Sequence, residues 1–175
     1  MIDWPTSLIK DIAGGRCVIF LGSGISCNAQ NVAGQRPKAW RQLLEKALER
    51  VEPTKKKRIK QCLDRYDYLM ACELIKKALG SDEFVDFLKE EFLTPGYLPA
   101  DIHKDIFDLE AQVVITPNFD KIYDTYVTKA GSGTIPVLNY YSEDIIDDIR
   151  SGKPIVLKIH GTIDEVSKLI FSKQD

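Results

Sequence analysis

The chain has 175 residues, of which 44% are hydrophobic and 29% charged, and its formal net charge is -2. That is enough material for one globular domain with a real core. The charge balance asks for neither nucleic acid nor an acidic membrane surface, and no apolar run approaches the roughly 20 residues of a membrane-spanning helix.

Met1-Ile2-Asp3-Trp4-Pro5 lacks the basic and apolar regions of a secretion signal. Pro5 to Ile12 reads as a short helix with Leu8, Ile9 and Ile12 on one face, stopped by Gly14-Gly15. Cys17 to Leu21 is a first, buried strand. A polar loop runs from Gly22 to Lys38; few apolar residues pin it, which leaves it free to move over a ligand. Helices are predicted at Trp40 to Val51, Lys55 to about Tyr68, Leu69 to Leu79, Asp82 to Phe92 and Asp101 to Leu109. The basic run Lys55 to Arg58 with Lys60 reads as a solvated helix face.

Gln112 to Thr116 is the second strand and Asp120 to Lys129 the next helix. Ile135 to Leu138 is a strand, and Ser142 to Arg150 a helix capped by Ser142 with Glu143 and Asp144 in its first turn. Pro154 to Ile159 is the strand that delivers His160, and Leu169 to Phe171 begins another. The stretch from about 39 to 110 is nearly all helical and too long for a simple crossover. The expected fold is α/β, a Rossmann-like, mainly parallel sheet with an inserted helical layer. The four cysteines, at 17, 27, 62 and 72, form no Cys-x-x-Cys pair and read as reduced thiols of a cytoplasmic protein, with no disulfide frame and no metal set.

Three apolar runs end in residues that carry chemistry: Val18 to Ser26, Val114 to Asp120 and Val156 to Gly161. Parallel strands deliver such ends to one rim, where ligands of open α/β sheets bind. Gly22 and Gly24 suit a turn under a phosphate, with positive backbone dihedrals and close approach; Ser23 and Ser26 supply hydroxyl donors. The loop is neither a dinucleotide Gly-x-Gly-x-x-Gly nor a P-loop; taken alone it reads as an ordinary tight turn after a strand, and the other two motifs reverse that reading. Asn118 both donates and accepts. Asp120 either accepts from a ribose hydroxyl or caps the helix it opens. His160, at a strand end before a glycine that lets a ligand come close, is suited to proton transfer. His103, at a helix start, reads as structural. Together the motifs suggest nucleotide chemistry.

In this order, Gly22-Ser23-Gly24-Ile25-Ser26, Thr116-Pro117-Asn118-Phe119-Asp120 and His160-Gly161 resemble the sirtuin family, from about Leu8 to the end of the chain. With Asn-Phe-Asp ahead of Lys121-Ile122-Tyr123-Asp124, the set is most similar to the bacterial sirtuin-like domains of anti-phage defence. Pro117 stands where the family usually has a polar residue. The resemblance implies catalytic roles for Asn118 and His160, and contacts to NAD from Gly22, Ser23, Gly24, Ile25, Ser26, Thr116, Asn118 and Asp120. It also implies a domain over residues 1–175 that is incomplete at its C terminus, and a helical layer roofing the nucleotide pocket.

The implied reaction is cleavage of the nicotinamide–ribose bond of NAD, the substrate, through a transition state of oxocarbenium character. Deacylases of the family carry a zinc module with two Cys-x-x-Cys pairs soon after the histidine, and no cysteine follows His160 here. The resemblance therefore favours a metal-free NAD hydrolase that acts in anti-phage defence by depleting NAD. A protein deacylase and a non-catalytic NAD or ADP-ribose sensor are the alternatives. It further implies gating by homo-oligomerisation, a regulatory partner or a fused sensor domain.

Overall fold

The β-branched runs become four short strands in the computed structural model, which describes residues 3–171. They are β1 (Val18–Phe20), β2 (Val113–Thr116), β3 (Val137–Asn139) and β4 (Ile155–Lys158), all paired in parallel in the order β1-β2-β4-β3. The helices are α1 (Thr6–Ala13), α2 (Ser23–Ser26), α3 (Trp40–Arg50), α4 (Pro53–Asp64), α5 (Tyr68–Leu79), α6 (Ser81–Phe92), α7 (Asp101–Phe107), α8 (Ile122–Ala130) and α9 (Ile145–Arg150). A 3-10 segment spans Ile163–Lys168. The fold is α/β and Rossmann-like, as expected. Among the described residues no helix is long and apolar enough to cross a membrane.

Side chains alternate across a strand, so the sheet has two distinct faces. Ile19, Val114, Val137 and Val156 share one face and pack with Ile106 of α7 and Tyr123 and Val127 of α8. A second core lies within α3 to α6, where Leu44, Ala47, Ile59, Ile75, Phe87 and Leu88 are buried. α7 packs against α8, so it belongs with the sheet and not with the helical layer. Phe119, Ile163, Leu169 and Phe171 come from the strand-end segments but sit in the helical core. Phe119 meets Phe92 edge-to-face and Phe171 at a tilt, with ring centroids 4.7 Å apart in each case. These rings pin the rim of the sheet to the helical layer.

Several expectations are corrected. β1 is not a buried strand: it is the sheet edge, with Val18 60% and Phe20 62% exposed. The β-branched run specified the strand, whereas its neighbours decide its burial. Gly22 and Gly24 do not have positive φ, because α2 begins at Ser23 with Gly22 extended and Gly24 helical. The 22–38 loop is tethered, with Gln30 bridged to Leu98 through both backbone hydrogen bonds and Ala29 fully buried. α4 stops at Asp64, ahead of a left-handed Tyr66. Ser142 does not cap a helix; its Oγ accepts from Asn139 N–H, and α9 starts only at Ile145. No strand forms at 169–171, because Leu169 and Phe171 are drawn into the helical core; residues beyond 171 lie outside the described structure. The basic face of α4 is solvent-exposed apart from a half-buried Lys56, and no disulfide joins the four cysteines.

Candidate functional site

Strand order puts the three motifs side by side. The loop after β1, the segment after β2 and the turn after β4 leave adjacent strands at the same edge. Side-chain hydrogen bonds then tie them together. The Thr116 hydroxyl donates to Leu21 O at 2.9 Å and accepts from Asn118 N–H at 3.0 Å. Asn118 Nδ2 donates to Gly22 O at 3.0 Å and to Ser26 Oγ at 3.3 Å. Ser26 donates to Asp120 Oδ2 at 2.6 Å, and Asp120 Oδ1 accepts from Ile122 N–H at 3.0 Å. Asp120 stands one residue ahead of Lys121, the N-cap of α8, and its carboxylate both holds the first helical N–H and borders the cavity described below.

Beneath this layer lies a pair that the sequence reading overlooked. Lys158, the last residue of β4, is 1% exposed. Its ammonium donates to Asp120 O and to Asp124 Oδ2, the latter at 2.6 Å. Burial pushes the Asp124 carboxyl up, against the pull of the Lys158 charge. A lysine inside an apolar strand run was the available signal, since such a charge is buried only when paired.

A cavity of about 410 Å³ opens over the strand ends, inside the usual range for small-molecule sites of about 300–1,000 Å³. Its floor is Ser23, Ser26, Asn118, Asp120 and His160; its roof is Trp40 and Leu43 of α3, Tyr66 just ahead of α5, Tyr68 at the start of α5, and Phe92 of α6. Pro37, Lys38, Asp67, Leu69, Pro117 and Phe119 complete the wall. Gly22, Gly24, Ile25 and Thr116 are not among the lining residues. Thr116 lies underneath as a tie, and Ile25 packs into the sheet core. Gly22 and Gly24 have open space where a Cβ would stand, so their backbone can be approached closely.

His160 is half-buried on the cavity floor, and burial pulls its imidazole below the usual value, which favours the neutral form able to accept a proton. Gly161 is a glycine for a reason other than ligand approach: its φ is +81°, and a Cβ there would stand 2.9 Å from Lys168 O. Asn118 spends its amide hydrogens on the loop, and its Oδ1 has no hydrogen-bond partner among the described residues. His103 is fully buried, with Nδ1 accepting from Ala100 N–H at 3.0 Å, in keeping with a structural role.

A family model described as a SIR2-like domain matches residues 112–175. The match takes in Asn118 and His160 and leaves the Gly22–Ser26 loop outside it. Comparison with curated proteins finds no match.

Proposed function

With a sirtuin-like domain at residues 112–175 as the premise, we propose that this protein is an NAD+ hydrolase, releasing nicotinamide and ADP-ribose. The observation that carries the reading is the convergence of three strand ends on one cavity, with Ser23 and Ser26 of the loop after β1, a carboxamide and a neutral histidine on its floor. Ser23 and the open backbone at Gly22 and Gly24 receive the pyrophosphate. Asn118 Oδ1 accepts from the attacking water or a ribose hydroxyl. The water oxygen bonds to the anomeric carbon, nicotinamide leaves with the electrons of the broken C–N bond, and the water's proton passes to His160. The apolar roof excludes bulk water, which strengthens each of these interactions.

Water is favoured over an acyl-lysine as nucleophile because Gly22-Ser23-Gly24-Ile25-Ser26 and Asn118-Phe119-Asp120 ahead of Lys121-Ile122-Tyr123-Asp124 resemble the defence-type domains more than the deacylases. In this reading the protein is a cytoplasmic effector of anti-phage defence, held in check by oligomerisation, a partner or a fused sensor. The test is to incubate the protein with NAD+, with and without an acyl-lysine peptide, and to quantify nicotinamide. Release without peptide is expected. Release only with peptide identifies a deacylase, and binding without release identifies a sensor.

A further inference from the structure

Glu91, near the end of α6, is 5% exposed. Lys38 Nζ lies 2.9 Å from its Oε2, and the Lys46 ammonium bonds its Oε1. Burial alone would raise this carboxyl, but the two ammonium groups outweigh burial and hold it below the usual range. One carboxylate between two cations leaves a surplus positive charge. Lys46 lies outside the cavity wall, whereas Lys38 lines it and is the one lysine or arginine among the described lining residues. The acids on that wall do not compete for Lys38: Asp67 accepts from Met70 N–H at the start of α5, and Asp120 is held by Ser26 and Ile122. A buried carboxylate gains little stability from such pairs, because desolvation offsets the Coulomb attraction. What it does achieve is to fix a half-exposed ammonium at one point of the cavity.

We infer that Lys38, positioned by Glu91, is the cation that receives the phosphate groups of the ligand and makes this cavity select phosphorylated nucleotides. The inference rests on the nucleotide reading above and adds the group that supplies the charge. Titration calorimetry with ADP-ribose at several salt concentrations tests it, on the wild type, Lys38→Met, Lys38→Gln, Lys38→Arg and Lys46→Met. Lys38→Met and Lys38→Gln are expected to bind about tenfold more weakly and with a shallower salt dependence, as for one lost ionic contact. Lys38→Gln keeps a hydrogen-bond donor for Glu91, so it carries the test if the methionine variant fails to fold. Lys38→Arg is expected to retain binding, and Lys46→Met to retain both affinity and salt dependence.

Unchanged affinity in Lys38→Met, or equal losses in Lys38→Met and Lys46→Met, overturns the inference while leaving the hydrolase reading in place. Lys38-dependent ADP-ribose binding in a wild type that does not cleave NAD+ supports the inference and removes the hydrolase. A wild type that does not bind ADP-ribose removes both.

Discussion

The floor and roof of the cavity are built by different physics. The floor is polar and belongs to the sheet: Asn118, Ser26, Asp120 and Lys158 are joined by hydrogen bonds between residues 34 to 96 positions apart in the chain. The roof is apolar and belongs to the helical layer, where Trp40, Tyr68 and Phe92 pack against the helical core. Directional bonds fix atoms to the tolerance that chemistry requires, whereas packing encloses and excludes water. Floor substitutions should therefore cost rate or fold integrity, and roof substitutions should cost binding.

The largest effect is expected at His160. His160→Ala should lower NAD+ cleavage by about 100- to 10,000-fold with the melting temperature little changed, as for loss of a general base. In the wild type the rate should stay level above the imidazole pKa and fall as pH drops through it, with the midpoint below the ordinary 6.5, because burial depresses this group. A rate that rises on acidification would assign His160 as an acid and break the floor as described.

Next comes Lys158→Met, which leaves Asp124 and the Asp120 carbonyl buried without their cation. Removing one partner of a buried pair costs about 3–5 kcal/mol, read as a drop in the midpoint of urea unfolding. The double variant Lys158→Met with Asp124→Leu should recover part of that loss. A single variant as stable as the wild type would show that the floor does not depend on its buried pair.

Asn118→Ala should reduce cleavage about 100-fold or more while weakening NAD+ binding only modestly, since Ser23 and the glycine backbone remain. Equal losses in binding and rate would make Asn118 a binding residue. The smallest effect is expected on the roof. Tyr66 lines the cavity yet is mostly exposed, set edge-to-face against Tyr68 at 6.2 Å between ring centroids. Tyr66→Ala should raise KM by up to about tenfold with kcat unchanged, in line with one aromatic contact. A fall in kcat instead would mean that the roof shares in the chemistry.

The two histidines illustrate what could be read in advance. His160 stood after an apolar run and before glycine, and the structure puts it on the cavity floor. His103 stood at a helix start, and it is buried with its Nδ1 on the Ala100 backbone. Local context separated them because it reports which element a residue ends or begins. The same local logic failed at Gly22, Gly24 and Ser142, where a short helix and a different hydrogen bond took the place of the expected turn and cap. It was silent on Lys38 and Glu91, which are 53 positions apart and meet only in the folded chain.

The sequence by itself determined the alternation of strand and helix, the inserted helical stretch and the residues that end three strands. Those are properties of periodicity and of short-range backbone preference. Only the tertiary structure decided that β1 lies at the edge with Val18 and Phe20 uncovered, that Thr116 is a tie beneath the rim, and that Asp120 serves Ser26 and helix α8. It alone decided that Lys158 finds Asp124 and that the roof aromatics face the floor. Burial, pairing of buried charge and enclosure of a cavity depend on which distant segments come together, and strand order and helix packing set that, not the local pattern of residues.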